Sequence, residues 1–380
     1  MIFVPRAAYK NVIAKLLPNK VVIILGARRT GKTLFIKKLL EEVKEPYLWF
    51  NGEDFTTVDI FKNRAKEHYK NVFGAAKLLV IDEAQKVPDI GAILKFIVDE
   101  FEGIRIIATG SSAFDLNNQV GEPLTGRKFT IQLFPLAQME LSQSETYPQT
   151  QAALEERLIF GSYPEILHYE SFAAKTDYLS ELINSYLFKD ILEYENVRNS
   201  TKLRDLLRLL AFQVGKEVSV QELGKQLGIS KNTVDRYLDL LSKVFVIYRI
   251  QGFSRNLRSE ISKSHKWYFY DNGIRNLLIA NLNPLSQRND VGELWENYLI
   301  SERLKYQSYT GMVVNNYSWR TYHQQEIDWV EERGGTLFGY EIKWNANKKV
   351  KAPSSWLTSY PDAEFHVVTP DNYLDWITNK

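Results

Sequence analysis

The residues best equipped for chemistry stand early in the chain, in the run Gly26-Ala27-Arg28-Arg29-Thr30-Gly31-Lys32-Thr33. The run satisfies GxxxxGK[ST], and each part of that spacing has a task. Glycine lets the backbone turn tightly enough for successive N–H groups to face one anion. The helix expected to open here, with Leu34 in its first turn, points its positive end at the same anion. Lys32 can reach β- and γ-phosphates, and the Thr33 hydroxyl can ligate Mg²⁺. The expected ligands are therefore ATP and Mg²⁺, held by Gly26, Ala27, Arg28, Arg29, Thr30, Gly31, Lys32, Thr33 and Leu34.

Further on, the apolar run Leu78-Leu79-Val80-Ile81 ends on Asp82 and Glu83. A buried strand would deliver Asp82 to the sheet edge where α/β proteins bind ligands. Asp82 is the candidate Mg²⁺ partner, through water, and Glu83 the residue that polarises the attacking water. One strand candidate, residues 46–50, stands between the loop and these acids. That order places them with P-loop ATPases that use a catalytic glutamate, rather than with kinases or small GTPases. Two acids merely capping a strand is the plainer alternative, and a complete phosphate loop upstream counts against it. Thr109-Gly110-Ser111-Ser112 ends another apolar run. A hydroxyl there can sense the γ-phosphate, Ser111 first and Ser112 next, although a strand-ending turn fits the same residues.

The elements that must hold these groups can be read from the pattern. Apolar runs at 21–26, 46–50, 77–82, 104–110 and 129–136 lack the alternation of half-exposed strands. Helical stretches follow the first strand and cover 56–72 and 89–101. Non-alternating strands separated by helices predict a parallel sheet covered on both faces. Residues 137–200 turn mostly helical, as a lid or connector.

Two constellations lie beyond the lid. Residues 220–241 read as helix, turn and helix: Gly228 supplies the turn, Ser230 caps the second helix, and Val234, Tyr237, Leu238 and Leu241 form its buried stripe. VFVIYRI then supplies a wing strand. Lys231, Asn232 and Arg236 on the exposed face suit phosphate and base-edge contacts, while Asp235 opposes them. The locally basic stretch 251–266 tips this reading towards DNA; protein docking is the alternative use of such a fold. In the last third, a strand ending near Asp328, a Gly334-Gly335 hairpin and a strand over 337–344 bring Asp328, Glu341 and Lys343 together. Glu341 and Lys343 are two apart and so emerge on one face. Such a set can bind Mg²⁺ and activate water for phosphodiester cleavage, or be no more than a hairpin with paired charges.

The bulk numbers admit all of this. A chain of 380 residues exceeds one ordinary domain. Lys and Arg exceed Asp and Glu by only 48 − 46 = 2, so any nucleic-acid surface must be local. No cysteine is present, which excludes disulfides and thiolate zinc sites and fits a cytoplasmic protein. The first residues lack a signal-peptide pattern, and no apolar stretch approaches the ~20 residues of a membrane helix.

The N-terminal motifs resemble the AAA family. The resemblance implies that Arg127, in Leu124-Thr125-Gly126-Arg127, reaches a neighbouring subunit's nucleotide and neutralises charge on the transferred phosphoryl group, which would make the active form a homo-oligomer, a ring being one form of it. A surface arginine paired with an acid is the alternative. The Asp328, Glu341 and Lys343 set resembles the PD-(D/E)xK nuclease-like superfamily, and Glu296 matches the acid carried on that superfamily's first helix. Ile327 stands where many members have proline. Together with FPL (134–136), SYPE (162–165), FKDIL (188–192), YFYDNG (268–273) and WENYL (295–299), nearly the whole chain resembles a prokaryotic family of uncharacterised AAA-type ATPases with a C-terminal region of unknown function. The resemblance implies an α/β fold in four parts: an AAA-like parallel-sheet P-loop NTPase domain (1–138), a helical lid (139–202), a winged helix (203–255) and a restriction-endonuclease-like α/β domain (256–380). The expected activity is ATP hydrolysis coupled to DNA binding or remodelling; the alternative is a nucleotide-switched interaction protein with a silent nuclease-like domain.

Overall fold

The computed structural model describes residues 3–111, 124–187, 200–255, 265–348 and 350–378, the side chains of 185–187 excepted. Ser112, FKDIL (188–192) and most of the basic stretch, with Arg258 and Lys263, lie outside the described residues. The chain divides into two compact units. One comprises residues 5–135 with 243–245; the other comprises 1–4, 136–242 and 246–380.

The first unit is built on a five-stranded parallel sheet. Its strands are β1 (Lys20–Leu25), β2 (Tyr47–Asn51), β3 (Leu78–Asp82), β4 (Arg105–Gly110) and β5 (Lys128–Gln132). Their spatial order is β2-β3-β4-β1-β5. β1, β3 and β4 are buried along nearly their whole length, β1 and β3 as near-continuous Val, Ile and Leu runs and β4 through Ile106, Ile107, Ala108 and the Thr109-Gly110 end. The helices that cover the sheet are α1 (Ala8–Lys15), α2 (Lys32–Glu42), α3 (Phe55–Lys62), α4 (Lys66–Phe73) and α5 (Ile90–Glu100). The helix expected over 56–72 is two helices. The Asn63 side chain accepts the Ala65 N–H at 3.2 Å, a local turn that competes with helical pairing and breaks the run.

Order matters more than count here. β4 lies between β1 and β3, so the end of β4 stands between the glycine loop and the acids of β3. Chain order alone hides this, because β4 comes last of the three.

The second unit begins with α6 (Gln138–Leu141), α7 (Tyr147–Phe160) and α8 (Phe172–Glu181). It continues through α9 (Ser200–Phe212), α10 (Val220–Leu227), α11 (Lys231–Lys243) and α12 (Asn272–Leu278). A six-stranded mixed sheet follows, in the order β11-β10-β9-β8-β6-β7. It comprises β6 (Ile247–Gly252), β7 (His265–Phe269), β8 (Asn315–Arg320), β9 (Glu326–Arg333), β10 (Thr336–Ile342) and β11 (Glu364–Val368). The long helix α13 (Val291–Thr310) precedes β8. Two differences from the expectation stand out. The 255/256 boundary runs through this sheet, because β6 and β7 pair antiparallel across it and β6 also pairs with β8. The strand expected to end near Asp328 is two strands, β8 and β9, and Asp328 lies inside β9.

Two of the short motifs have a structural purpose in this unit. Asp271, buried in YFYDNG, accepts the N–H of Ser162 at 2.7 Å, of Gly273 at 2.9 Å and of Ile274 at 3.2 Å. It caps α12 and ties it to the SYPE turn. A Cβ on Gly273 would stand 2.1 Å from the Phe160 carbonyl oxygen, so only glycine permits the approach.

Candidate functional site

The glycine loop leaves β1 and enters α2. Gly31 has φ +88° and Arg29 φ +65°, the left-handed conformations that curl the loop. A Cβ on Gly26 would meet the Leu133 carbonyl oxygen at 2.1 Å, so this position has no room for a side chain. Lys32 is buried, and its ammonium donates to the carbonyls of Gly26 at 2.9 Å and Ala27 at 3.1 Å. Arg6, which the sequence reading did not single out, braces the loop from beneath. Its guanidinium donates to Thr30 O at 2.8 Å and Phe134 O at 2.6 Å.

The acids stand beside the loop. Thr33 donates its hydroxyl to Asp82 Oδ2 at 2.8 Å, and Thr109 donates to Asp82 Oδ1 at 2.5 Å. Thr109 Oγ1 also accepts the Glu83 N–H at 2.9 Å. Glu83 has φ +49°, and Gly52 packs so tightly on it that a Cβ there would stand 2.4 Å from Glu83 O. Strain of this kind persists only where neighbours impose it. Of the Thr109-Gly110-Ser111 run, Thr109 touches the acids directly, while Ser111 Oγ accepts from Gln85 at 3.1 Å. Gln85 also donates to Glu83 Oε2 at 2.6 Å. Thr109 was legible in its motif but eclipsed by the serines after it.

These residues fit a magnesium nucleotide on the chemistry of the donor set. Hard oxygen donors, one carboxylate and one hydroxyl, meet next to a loop of backbone N–H groups and a buried ammonium. Mg²⁺ characteristically takes few protein ligands and completes its shell with water and phosphate.

Arg127 lies at the other end of the sheet. Val21 N–H donates to Arg127 O, and Lys128 pairs with Val21 at the start of β1, whereas the loop leaves β1 after Leu25. At the ~3.3 Å rise per strand residue, four to five residues separate the two by roughly 15 Å. Arg127 therefore stands away from its own chain's loop. Its Nε donates to Asp99 Oδ1 at 2.6 Å.

In the second unit, β9 and β10 form a hairpin through Gly334 and Gly335, with φ +55° and +84°. Lys343 Nζ lies 2.6 Å from Glu341 Oε1 and 3.5 Å from Asp328 Oδ2, between the two carboxylates. Asp328 Oδ2 also accepts the Ile342 N–H at 2.8 Å. Glu296 projects from α13 and accepts the Tyr268 hydroxyl at 2.7 Å. Burial and then the charge of Asp328 push its carboxyl up to about 8. The same two causes raise Glu341. Burial pulls the Lys343 ammonium down, but Asp328 and Glu341 more than offset it and the net shift is upward. Lys266, buried, is raised on balance too: burial opposes its charge, and Glu296 and Asp328 prevail. Lys266 and Tyr268 complete a cluster that the ExK spacing alone did not reveal. Among the described residues, no three His, Cys, Asp or Glu side chains converge so as to hold a metal ion. The ammonium of Lys343 takes the place between Asp328 and Glu341.

Helices α10 and α11 meet at Gly228, φ +65°, and Ser230 Oγ accepts the Thr233 N–H at 3.1 Å, capping α11. Lys231, Asn232 and Arg236 are exposed. A cleft of about 1150 Å³ opens between these helices and the β6–β7 hairpin; Lys231 and Arg249 line it, together with Glu217, Glu222, Asp235 and Asp239. Among the described residues, no helix is long and apolar enough to cross a membrane.

Residues 18–142 match a family described as an AAA domain. Residues 151–286 and 291–378 match two domains of unknown function, DUF8612 and DUF4143. An uncharacterized protein of Methanocaldococcus jannaschii, MJ1544, is 27% identical over 312 residues, 77% of this chain and 68% of its own length. An uncharacterized protein of Mycobacterium tuberculosis, Rv2008c, is 25% identical over 359 residues, 93% of this chain and 77% of its own. Among solved structures, the STAND protein with a tetratricopeptide repeat sensor PH0952 from Pyrococcus horikoshii aligns over 82% of this chain and 48% of its own, at 13% identity and TM-score 0.32. The Pif1 helicase from Bacteroides, in complex with ADP-AlF3 and ssDNA, aligns over 47% and 50%, at 17% identity and TM-score 0.26. This chain thus spans about half the length of either solved protein. Residues 18–142 are thus similar to an AAA domain, and the glycine loop described above lies within them.

Proposed function

We propose that the protein is a magnesium-dependent ATPase that acts as a homo-oligomer and couples hydrolysis to DNA binding or remodelling. One observation carries the enzymatic part: Thr33, Asp82 and Thr109 form a continuous hydrogen-bonded set at the mouth of the glycine loop. Magnesium, when bound, would offset charge on the phosphate oxygens. The loop amides and Lys32 would grip the triphosphate, Thr33 and Asp82 would hold the metal, and Glu83 would orient and polarise water. Arg127, remote from its own loop, would serve a neighbouring copy.

Coupling to DNA is supported by the helix–turn–helix geometry of α10 and α11 and by exposed Lys231, Asn232 and Arg236. A second reading is favoured by two observations. Four acids line the cleft beside α11, and Lys343 clamps the two hairpin carboxylates. In that reading the C-terminal unit docks a protein partner and cleaves nothing. The deciding experiment follows ATP turnover with duplex, single-stranded and branched DNA, with strand integrity scored in the same tubes. DNA-stimulated turnover supports the first reading. Turnover indifferent to DNA, with no DNA binding at low salt, leaves the second. Nicking that disappears in both Asp328→Ala and Lys343→Ala would assign the hairpin as a nuclease; nicking that persists would not.

A further inference from the structure

Gln85 is buried in the turn that follows the two acids of β3. Its amide nitrogen serves two acceptors at once, Glu83 Oε2 at 2.6 Å and Ser111 Oγ at 3.1 Å. Its Oε1 is buried and meets no donor among the described residues. The amide cannot be turned round, because Oε1 would then face a carboxylate oxygen, acceptor against acceptor. A single hydrogen-bonded chain therefore runs from the end of β4 through Gln85 to the Glu83 carboxylate.

The backbone of Glu83 is already held by Thr109 and crowded by Gly52. What remains free to turn is the Glu83 side chain, and Gln85 holds it. We propose that Gln85 is a positioning residue for hydrolysis, tying the aim of the Glu83 carboxylate to Ser111, so that a γ-phosphate drawing on the Ser111 hydroxyl re-aims Glu83 at its water. An amide suits the task. It offers two N–H groups on one atom and adds no charge beside the carboxylate, whereas a lysine would neutralise the base and a glutamate would repel it. The inference rests on the ATPase reading and assigns that site a means of sensing which nucleotide it holds.

The test compares wild type with Gln85→Met, Gln85→Glu, Ser111→Ala and the Gln85→Met/Ser111→Ala pair. Turnover is measured alongside calorimetric binding of Mg-ATPγS and Mg-ADP. Both Gln85 variants should lose tenfold or more of kcat, a partial loss of the roughly 100- to 10,000-fold that a well-placed general base contributes. Mg-ADP affinity should stay within about twofold, because no bond to the diphosphate is touched. Ser111→Ala should lower the preference for ATPγS over ADP, and Gln85→Met should lower it as well, by no more than Ser111→Ala does. The pair should be little worse than either alone, as expected of residues acting through one chain. Additive losses in the pair, wild-type kcat and preference in Gln85→Met, full activity in Gln85→Glu, or lost ADP binding in Gln85→Met would each overturn the relay. Wild-type protein that binds neither nucleotide overturns the ATPase reading itself and the relay with it.

Discussion

The Thr33 hydroxyl donates to Asp82 Oδ2 at 2.8 Å, joining the first helical turn after the glycine loop to the end of a strand that is not the loop's neighbour. β4 fills the gap between them, and its Thr109 takes the other carboxylate oxygen. The acid thus has both oxygens engaged and one orientation before any metal arrives. Preorganisation of this kind spares the site the cost of ordering its ligand on binding.

The Lys32 ammonium, which donates to the Gly26 and Ala27 carbonyls, tests the grip on phosphate rather than the aim of Asp82. Lys32→Ala is expected to weaken ATP binding on the order of 100-fold, since charge-assisted bonds to phosphate are among the strongest available. Thr33→Ala should instead retain metal-free nucleotide binding and lose the gain that Mg²⁺ confers. Calorimetry with and without Mg²⁺ distinguishes the two. Equal Mg²⁺ enhancement in wild type and Thr33→Ala would remove the hydroxyl from the metal's shell.

Arg127 calls for a different signature. Its distance from its own loop and its bond to Asp99 predict little effect on nucleotide affinity and a large one on turnover. Arg127→Ala should lose on the order of 1000-fold in kcat if the guanidinium meets a neighbour's phosphoryl group. Mixing the inactive Arg127→Ala and Lys32→Ala chains should then restore part of the activity, because each supplies what the other lacks. No recovery on mixing, or an unchanged rate in Arg127→Ala alone, would confine the residue to its pairing with Asp99.

How far the sequence spoke depended on whether a feature was local. The glycine loop was fully legible, because GxxxxGK[ST] specifies its own geometry through contiguous residues. Asp82 and Glu83 could be singled out only because a complete phosphate loop stands upstream; by themselves, two acids at a strand end fit a simple cap as well. The insertion of β4 between β1 and β3 was not, since strand order is a tertiary choice, and with it went the role of Thr109. Arg6 left no local trace at all: it acts on Thr30 and Phe134 through folding alone. In the C-terminal unit the ExK spacing announced Glu341 and Lys343, but Lys266 and Tyr268 join them only because β7 packs into the same sheet. The strand-sharing between β6 and β8 likewise has no sequence signature, which is why a domain boundary was expected between two strands that pair.

The Asp271 link predicts stability rather than activity. Gly273→Ala would drive a methyl against the Phe160 carbonyl oxygen, at 2.1 Å before relaxation. Overpacking against backbone should cost about 2–4 kcal/mol, because a carbonyl held in a helix end cannot step aside. Asp271→Ala should be at least as damaging, since it strands three buried N–H groups. Denaturant melts of the full chain, followed by tryptophan fluorescence, give the test. Wild-type midpoints in both variants would mean that the turn and the helix hold each other by other means.

Glu296 makes the pH dependence of the C-terminal unit calculable in sign. In the unfolded chain its carboxyl loses its proton near the ordinary 4.5, whereas the fold keeps it until about 8, through burial first and the Asp328 charge second. Between those values the folded state binds more protons than the unfolded one, so stability falls as pH rises through the window. Glu296→Gln deletes the titration and keeps the Tyr268 hydroxyl supplied with an acceptor. The variant should match wild type near pH 4.5 and exceed it by roughly 1–3 kcal/mol at pH 8, a discounted share of the shift at about 1.4 kcal/mol per unit. The melts belong in EDTA, because a divalent cation near Asp328 would pull the proton off Glu296 and flatten the difference. Parallel stability curves for the two proteins from pH 4.5 to 8 would mean that Glu296 is ionised in the fold, and that Lys266 and Lys343 outweigh both its burial and its acidic neighbour.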